Sequence, residues 1–246
     1  MKTPLLAAAL SVLTLPAFAL DVNAMSDEER ALFREEVRAY LLDNPEVIME
    51  AVAVLEERQA AQQVSQDLNL VSANADDIFD DGYSWVGGNP DGDITLVEFV
   101  DYRCGYCRRA HDEVKELIES DGNIRIIVKE FPILGEDSML SSRFAIAVKQ
   151  KLGADAYEAA NDALIRMSSG ANEVTLRRLA QSLGFDAAEL IDHMDSDEVS
   201  EEIASTRLLA QRLQITGTPT FVMQDDMLRG YLPLESMRQL VAQKRG

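Results

Sequence analysis

The stretch Thr95 to Cys107, TLVEFVDYRCGYC, is an apolar run that ends in two cysteines separated by Gly105 and Tyr106, and the chain has no other cysteine. Leu96, Val97, Phe99 and Val100 make a short β-favouring segment of the kind buried in the middle of a sheet. After Cys107 the period changes: Ala110, Val114, Leu117 and Ile118 recur at helical spacing, which predicts a helix. Cys104 therefore falls at a strand-to-helix junction, where free amides and the helix dipole favour the reactive thiolate over the thiol. Cys107, one turn further in, is set to resolve a mixed disulfide formed by Cys104. A structural disulfide or half of a zinc site are the other uses of such a pair, although no second cysteine pair or histidine cluster completes a tetrahedral site.

With 246 residues, 47% of them hydrophobic, the chain can bury one good core and a smaller appendage. A formal net charge of -20 argues against nucleic acid as a partner, and the Arg-Arg pairs at 108–109 and 177–178 both have acidic neighbours. Met1 to Ala19 reads as an export signal: Lys2 gives positive charge, Leu5 to Leu15 is apolar, and Ala17-Phe18-Ala19 offers small residues for cleavage. The apolar run is short for a membrane span. Cleavage near Ala19 would leave the mature protein outside the cytoplasm, where disulfides form and persist.

Downstream, Ser26 and Glu29 form a capping box ahead of an apolar stripe of Leu32, Phe33, Val37, Tyr40 and Leu41. Asn44-Pro45 ends that helix and starts another, carrying Val47, Ile48, Ala51, Val52 and Leu55. Two such helices cannot bury their stripes alone and must pack on the main domain or on copies of themselves, and the heptad spacing of Leu41, Ile48 and Leu55 favours self-association. Residues 69 to 93, rich in Asn, Asp and Gly, read as linker and turns with a short edge strand at Tyr83 to Val86. A second β run at Ile124 to Phe131 completes a strand-helix-strand unit with parallel strands. Residues 138 to 214 read as helical throughout, a structural insertion. The chain then returns to β at Thr218-Pro219-Thr220-Phe221-Val222-Met223 and closes with a helix over Pro233 to Gln243. A proline opening this short strand suits a cis Thr218-Pro219 bond and an open strand edge.

CxxC at a strand-to-helix junction with Thr-Pro before a late strand resembles the thioredoxin fold, and the helical insertion between them is similar to the DsbA superfamily. AsnProGluValIleMetGluAla, AspTyrArgCysGlyTyrCysArg and ThrGlyThrProThrPhe resemble exported proteins of the suppressor-of-copper-sensitivity C type. The resemblance implies an α/β thioredoxin fold with a multi-helix insertion, preceded by an α-helical oligomerisation segment. It divides the chain into a signal peptide (1–19), the helical segment and linker (20–75) and the DsbA-like domain (76–246).

Carried over by position, Cys104 attacks, Cys107 resolves, and Pro219 is the cis-proline beside the CxxC. Gly105, Tyr106 and Thr218 join Pro219 in contacting substrate, with Thr218 offering backbone bonds to an extended segment. Glu98 matches the buried acid that exchanges a proton with Cys107, and Lys129 on the next strand is its expected partner. Gly105-Tyr106, where DsbA-type oxidases carry Pro-His, and Thr before the cis-proline are features of disulfide isomerases of the DsbC type. His111 is expected at the surface. The implied protein is an exported, trimeric thiol-disulfide isomerase with no cofactor beyond its cysteine pair, acting on misfolded or disulfide-containing exported proteins and reduced by a membrane thiol reductase. A dithiol oxidase or reductase of the same fold remains an alternative. Two thiolates also suit Cu(I), though the nine methionines do not cluster around them.

Overall fold

The computed structural model describes residues 24–246, so the expected signal at 1–19 lies outside the described residues. The chain divides into two units, Met1–Arg58 and Gln59–Gly246. In the first, helix α1 (Asp27–Asp43) starts from Ser26, whose hydroxyl accepts the Glu29 amide while the Glu29 carboxylate returns to the Ser26 backbone. None of its residues is buried, and Leu32, Phe33, Val37 and Tyr40 all stand exposed. Helix α2 (Glu46–Ala73) begins in the same way, with Ile48, Val52 and Leu55 exposed.

The later turns of α2 belong to the second unit and correct the linker expected from residue 69. They remain helical because Val71 is buried on the sheet alongside Ile78 of the short α3 (Ala75–Phe79). Strand β1 (Trp85–Gly88) follows, two residues later than expected, then β2 (Ile94–Val100), α4 (Gly105–Asp121) and β3 (Ile124–Glu130). The insertion comprises α5 (Glu136–Leu152), α6 (Ala154–Arg166), α7 (Glu173–Ser182), α8 (Ala187–His193) and α9 (Asp197–Arg212). Strands β4 (Thr220–Met223) and β5 (Asp226–Arg229) and helix α10 (Leu234–Arg245) close the chain.

The sheet order is β1-β3-β2-β4-β5. β2 and β3 run parallel, as a strand-helix-strand crossover requires, and β1, β4 and β5 pair antiparallel to their neighbours. Because side chains alternate across a strand, β2 feeds two cores. Leu96 and Val100 join Ile126, Val128, Val114 and Phe144 on one face, while Val97 and Phe99 join Ile127, Leu209 and Leu213 on the other. Each fully buried large apolar side chain contributes about 1.5–3 kcal/mol. That two-sided burial explains why the strand reads as an almost unbroken apolar run, interrupted only by Thr95 and Glu98.

Candidate active site

The β2 strand ends at Val100, and the next four residues turn the chain into α4. Asp101 holds the turn. Its Oδ1 accepts the Arg103 amide at 2.8 Å and the Ser138 hydroxyl at 2.8 Å, and its Oδ2 accepts the Ile133 and Leu134 amides at 2.8 and 3.0 Å. Cys104 is the N-cap of α4, in extended conformation, with its Sγ 3.4 Å from the Cys107 amide. Gly122 ends the helix in the left-handed conformation at φ 71°, where a side chain would be strained.

Across from the pair, the Thr218–Pro219 peptide is cis, and the Cys104 thiol donates to the Thr218 carbonyl at 3.1 Å. The Cys104 pKa is brought down to about 5 by hydrogen bonds, first from the Cys107 thiol and then from the Thr218 side chain and the amides of Cys107 and Tyr106, against the opposing effect of burial. Cys107 is fully buried, and its bond to Cys104, its burial and the nearby Glu98 carboxyl all push its thiol far upward. Near neutral pH the pair therefore holds one thiolate and one proton, the division that nucleophilic attack followed by resolution requires.

Glu98 lies on the central strand, 6% exposed, facing the same side of the sheet as the α4 core. Burial first, then the charges of Glu130 and Cys104, raise its pKa to about 8. The expected pairing with Lys129 does not occur. In the parallel register Glu98 stands opposite Val128, so Lys129 is one residue out of step and points to the other face. There its ammonium donates to Asp81 at 2.5 Å, the Asp77 carbonyl at 2.9 Å and the Ser84 hydroxyl at 3.3 Å. Burial presses the Asp81 carboxyl upward, and Lys129 with Ser84 overrides it, so the net direction is down.

Tyr106 is 62% exposed beside Cys104, and its ring stacks on Tyr231 at a centroid distance of 6.2 Å. The Arg109 guanidinium lies 4.4 Å over the same Tyr231 ring. His111, expected at the surface, is half-buried and bonds Asp162 of α6 at 3.0 Å. The insertion also reaches the CxxC through its backbone, the Met167 and Ser169 carbonyls accepting from Arg108 and Arg103.

Three buried polar residues escaped the sequence reading: Asp101, Tyr102 and Glu130. Glu130 Oε1 accepts the Tyr102 hydroxyl at 2.7 Å and the Tyr157 hydroxyl at 2.6 Å, while Asn161 donates to the Tyr102 oxygen. Burial, countered by those hydroxyls, leaves the Glu130 pKa at about 7. Asp101 had a legible signal, an aspartate two residues before a turn amide it can accept. Glu130 carried none, because its partners come from the CxxC turn and from α6, distant in the chain.

A family model described as DSBA-like thioredoxin domain matches residues 95–242, and one described as Copper resistance protein ScsC N-terminal domain matches residues 29–62. A solved thioredoxin-like oxidoreductase from Silicibacter pomeroyi DSS-3 is 42% identical, with a TM-score of 0.66, over 70% of this chain and 98% of that one. The thiol-disulfide exchange protein alpha-DsbA2 from Wolbachia pipientis is 27% identical, with a TM-score of 0.68, over 72% and 95%. Proteus mirabilis ScsC in a compact conformation shares the fold at 24% identity and a TM-score of 0.64, over 90% and 98%. Among curated proteins, Na(+)/H(+) antiporter NhaA 3 of Salinispora tropica is 24% identical over 63% of this chain and 24% of its own length. The chain spans about a quarter of the length of the curated relatives it matches. No helix among the described residues is long and apolar enough to cross a membrane. A helix-capping dithiol, a cis-proline facing it and a match over most of the second unit make this chain a member of the DSBA-like thioredoxin domain family, with the ScsC N-terminal domain at its head.

Proposed function

We propose that the protein is an exported, periplasmic thiol-disulfide oxidoreductase that works as a disulfide isomerase in a homotrimer. The Cys104 thiolate attacks one sulfur of a substrate disulfide, forming a mixed disulfide and releasing the other substrate sulfur as a thiolate. A different substrate thiolate then displaces Cys104, leaving the substrate re-paired and the enzyme reduced. When none is placed to attack, Cys107 attacks Cys104 Sγ. The substrate leaves as a dithiol, the enzyme pair becomes a disulfide, and a membrane thiol reductase returns two electrons to it. For that escape Cys107 must lose its proton inside the protein, and Glu98 is the group that takes it. Gly105, Tyr106, Thr218 and Pro219 hold the substrate segment beside Cys104. Lys129, engaged by Asp81, has no part in the proton transfer. Misfolded exported proteins with wrong disulfides are the substrates.

The observation that carries the isomerase reading is the apolar stripe of α1 and early α2, which buries nothing within its own helix pair. Copies that bury it together would set several CxxC sites around one cleft, able to grip a misfolded chain and keep an oxidising partner out. Reactivation of scrambled ribonuclease tests this. The intact protein is expected to restore activity well above its Cys104→Ser variant, and equality of the two would end the proposal. Val71 is buried in the second unit, so the truncation that removes the helices should stop at Arg58. The shortened protein is expected to sediment as a monomer and lose isomerisation while keeping dithiol chemistry.

A further inference from the structure

The Glu98 carboxyl has no hydrogen-bond partner among the described residues, and it forms the floor of a cleft of about 200 Å³. The cleft opens between α4, α6 and the sheet, and neither Thr218 nor Pro219 lines it. Its walls are apolar: Trp85 from β1, Ile126 and Val128 from β3, Val114 and Ile118 from α4. Spacing of three and four residues on α4 sets His111, Val114, Lys115 and Ile118 along this one side. Trp85 is held in place by its indole N–H on the Ala154 carbonyl at 3.0 Å and by stacking on Tyr157. Glu119 and Glu158 stand at the mouth with no ion pair among the described residues, and Asp162 is shared by His111 and Arg166.

A buried carboxyl without a partner is costly to ionise, and a cation brought to it removes that cost. At the rim Glu119 and Glu158 outnumber the one lysine, Lys115, and a net acidic rim over apolar walls favours the same kind of molecule. We propose that this cleft binds a small organic cation, an amine or guanidine carried on a single ring or a branched apolar body, with its charged head on Glu98. A cleft this size is below the roughly 300–1,000 Å³ of drug-sized pockets, which limits the body to about one ring. Resting on the proton role given to Glu98 above, such a ligand pairs with the carboxylate, weakens it as the acceptor of the Cys107 proton and closes its way to solvent. The resolving step of Cys107 slows, so the site is inhibitory.

Trp85 is the chain's sole tryptophan, which makes its emission a direct reading of occupancy. The probe is benzylamine, with benzyl alcohol as its neutral counterpart, titrated into the full chain. Benzylamine is expected to change the emission saturably and to bind at least tenfold more tightly than the alcohol. Its affinity should tighten by up to about tenfold from pH 6 to pH 7, because Glu98 must release its proton to pair with the ammonium. The other titratable groups around Glu98 are Glu130 on β3, Cys104, Cys107, His111, Lys115 and Glu119 on and before α4, and Glu158 and Asp162 on α6. A His111→Gln variant is therefore expected to keep the pH slope, whereas Glu98→Gln should lose both the slope and the preference for the amine. Equal binding of amine and alcohol, no saturable change, or a preference that survives in Glu98→Gln would each overturn the site. If Glu98→Gln does not fold, the preference and slope of the unmodified protein decide. None of these readings involves turnover, so a chain that binds benzylamine yet fails on scrambled ribonuclease refutes the isomerase reading and leaves the cleft standing.

Discussion

Two buried ionisable side chains sit on neighbouring parallel strands, one on each face of the same sheet, and they are treated in opposite ways. Lys129 on one face is surrounded by Asp81, Ser84 and the Asp77 carbonyl. Glu98 on the other has no such partner, and the charges of Glu130 and Cys104 both oppose its ionisation. Lys129 ties the segment before β1 to the sheet through these partners. Left unsatisfied beneath a cysteine pair, Glu98 keeps its proton close to neutral pH and can exchange it. In the proposed mechanism the face that carries chemistry is the one where the polar partners are missing.

The largest expected effect breaks the satisfied side. Lys129→Ala leaves the Asp81 carboxylate buried without its ammonium and should cost about 3–5 kcal/mol in urea unfolding. The double change of Lys129 to Met and Asp81 to Leu should cost less than the single one, since it removes the orphaned charge as well. On the other face, Glu98→Gln should alter the pH dependence of stability. The folded pKa of about 8 lies above the unfolded carboxylate value, so the folded state binds the extra proton and stability falls as pH rises between the two. The variant should lack that decline, about 1.4 kcal/mol per pH unit, which unfolding curves at several pH values between 5 and 8 would measure. Tyr102→Phe removes one of the two hydroxyls on Glu130 Oε1 while Tyr157 keeps the other, and should cost about 1–3 kcal/mol. His111→Ala opens a pair with Asp162, a carboxylate 37% exposed, and should move stability by less than about 1 kcal/mol.

Much of this arrangement was legible in the chain. An apolar run entering CxxC placed the strand, the helix and Cys104 at their junction, because the period changes at that point from two-sided burial to one-sided. The crossover unit, the helical insertion and Glu98 on a central strand were likewise expected and found. Lys129 failed for a reason of register. Position along neighbouring strands cannot tell which face a side chain takes until the pairing is known, and one residue reverses it. The segment after residue 69 failed because its polar composition concealed two side chains, Val71 and Ile78, whose burial supplies the core that holds it helical. Glu130 and its tyrosines come from β3, the CxxC turn and α6, a meeting only the fold creates.

The division of labour between Cys104 and Cys107 underlies all of the proposed chemistry, and thiolate absorbance near 240 nm of the reduced protein measures it directly. One thiolate should appear with a midpoint near pH 5 and vanish in Cys104→Ser, with Cys107 staying protonated to the end of the accessible range. Two thiolates titrating together in the ordinary range of a free cysteine would contradict the account.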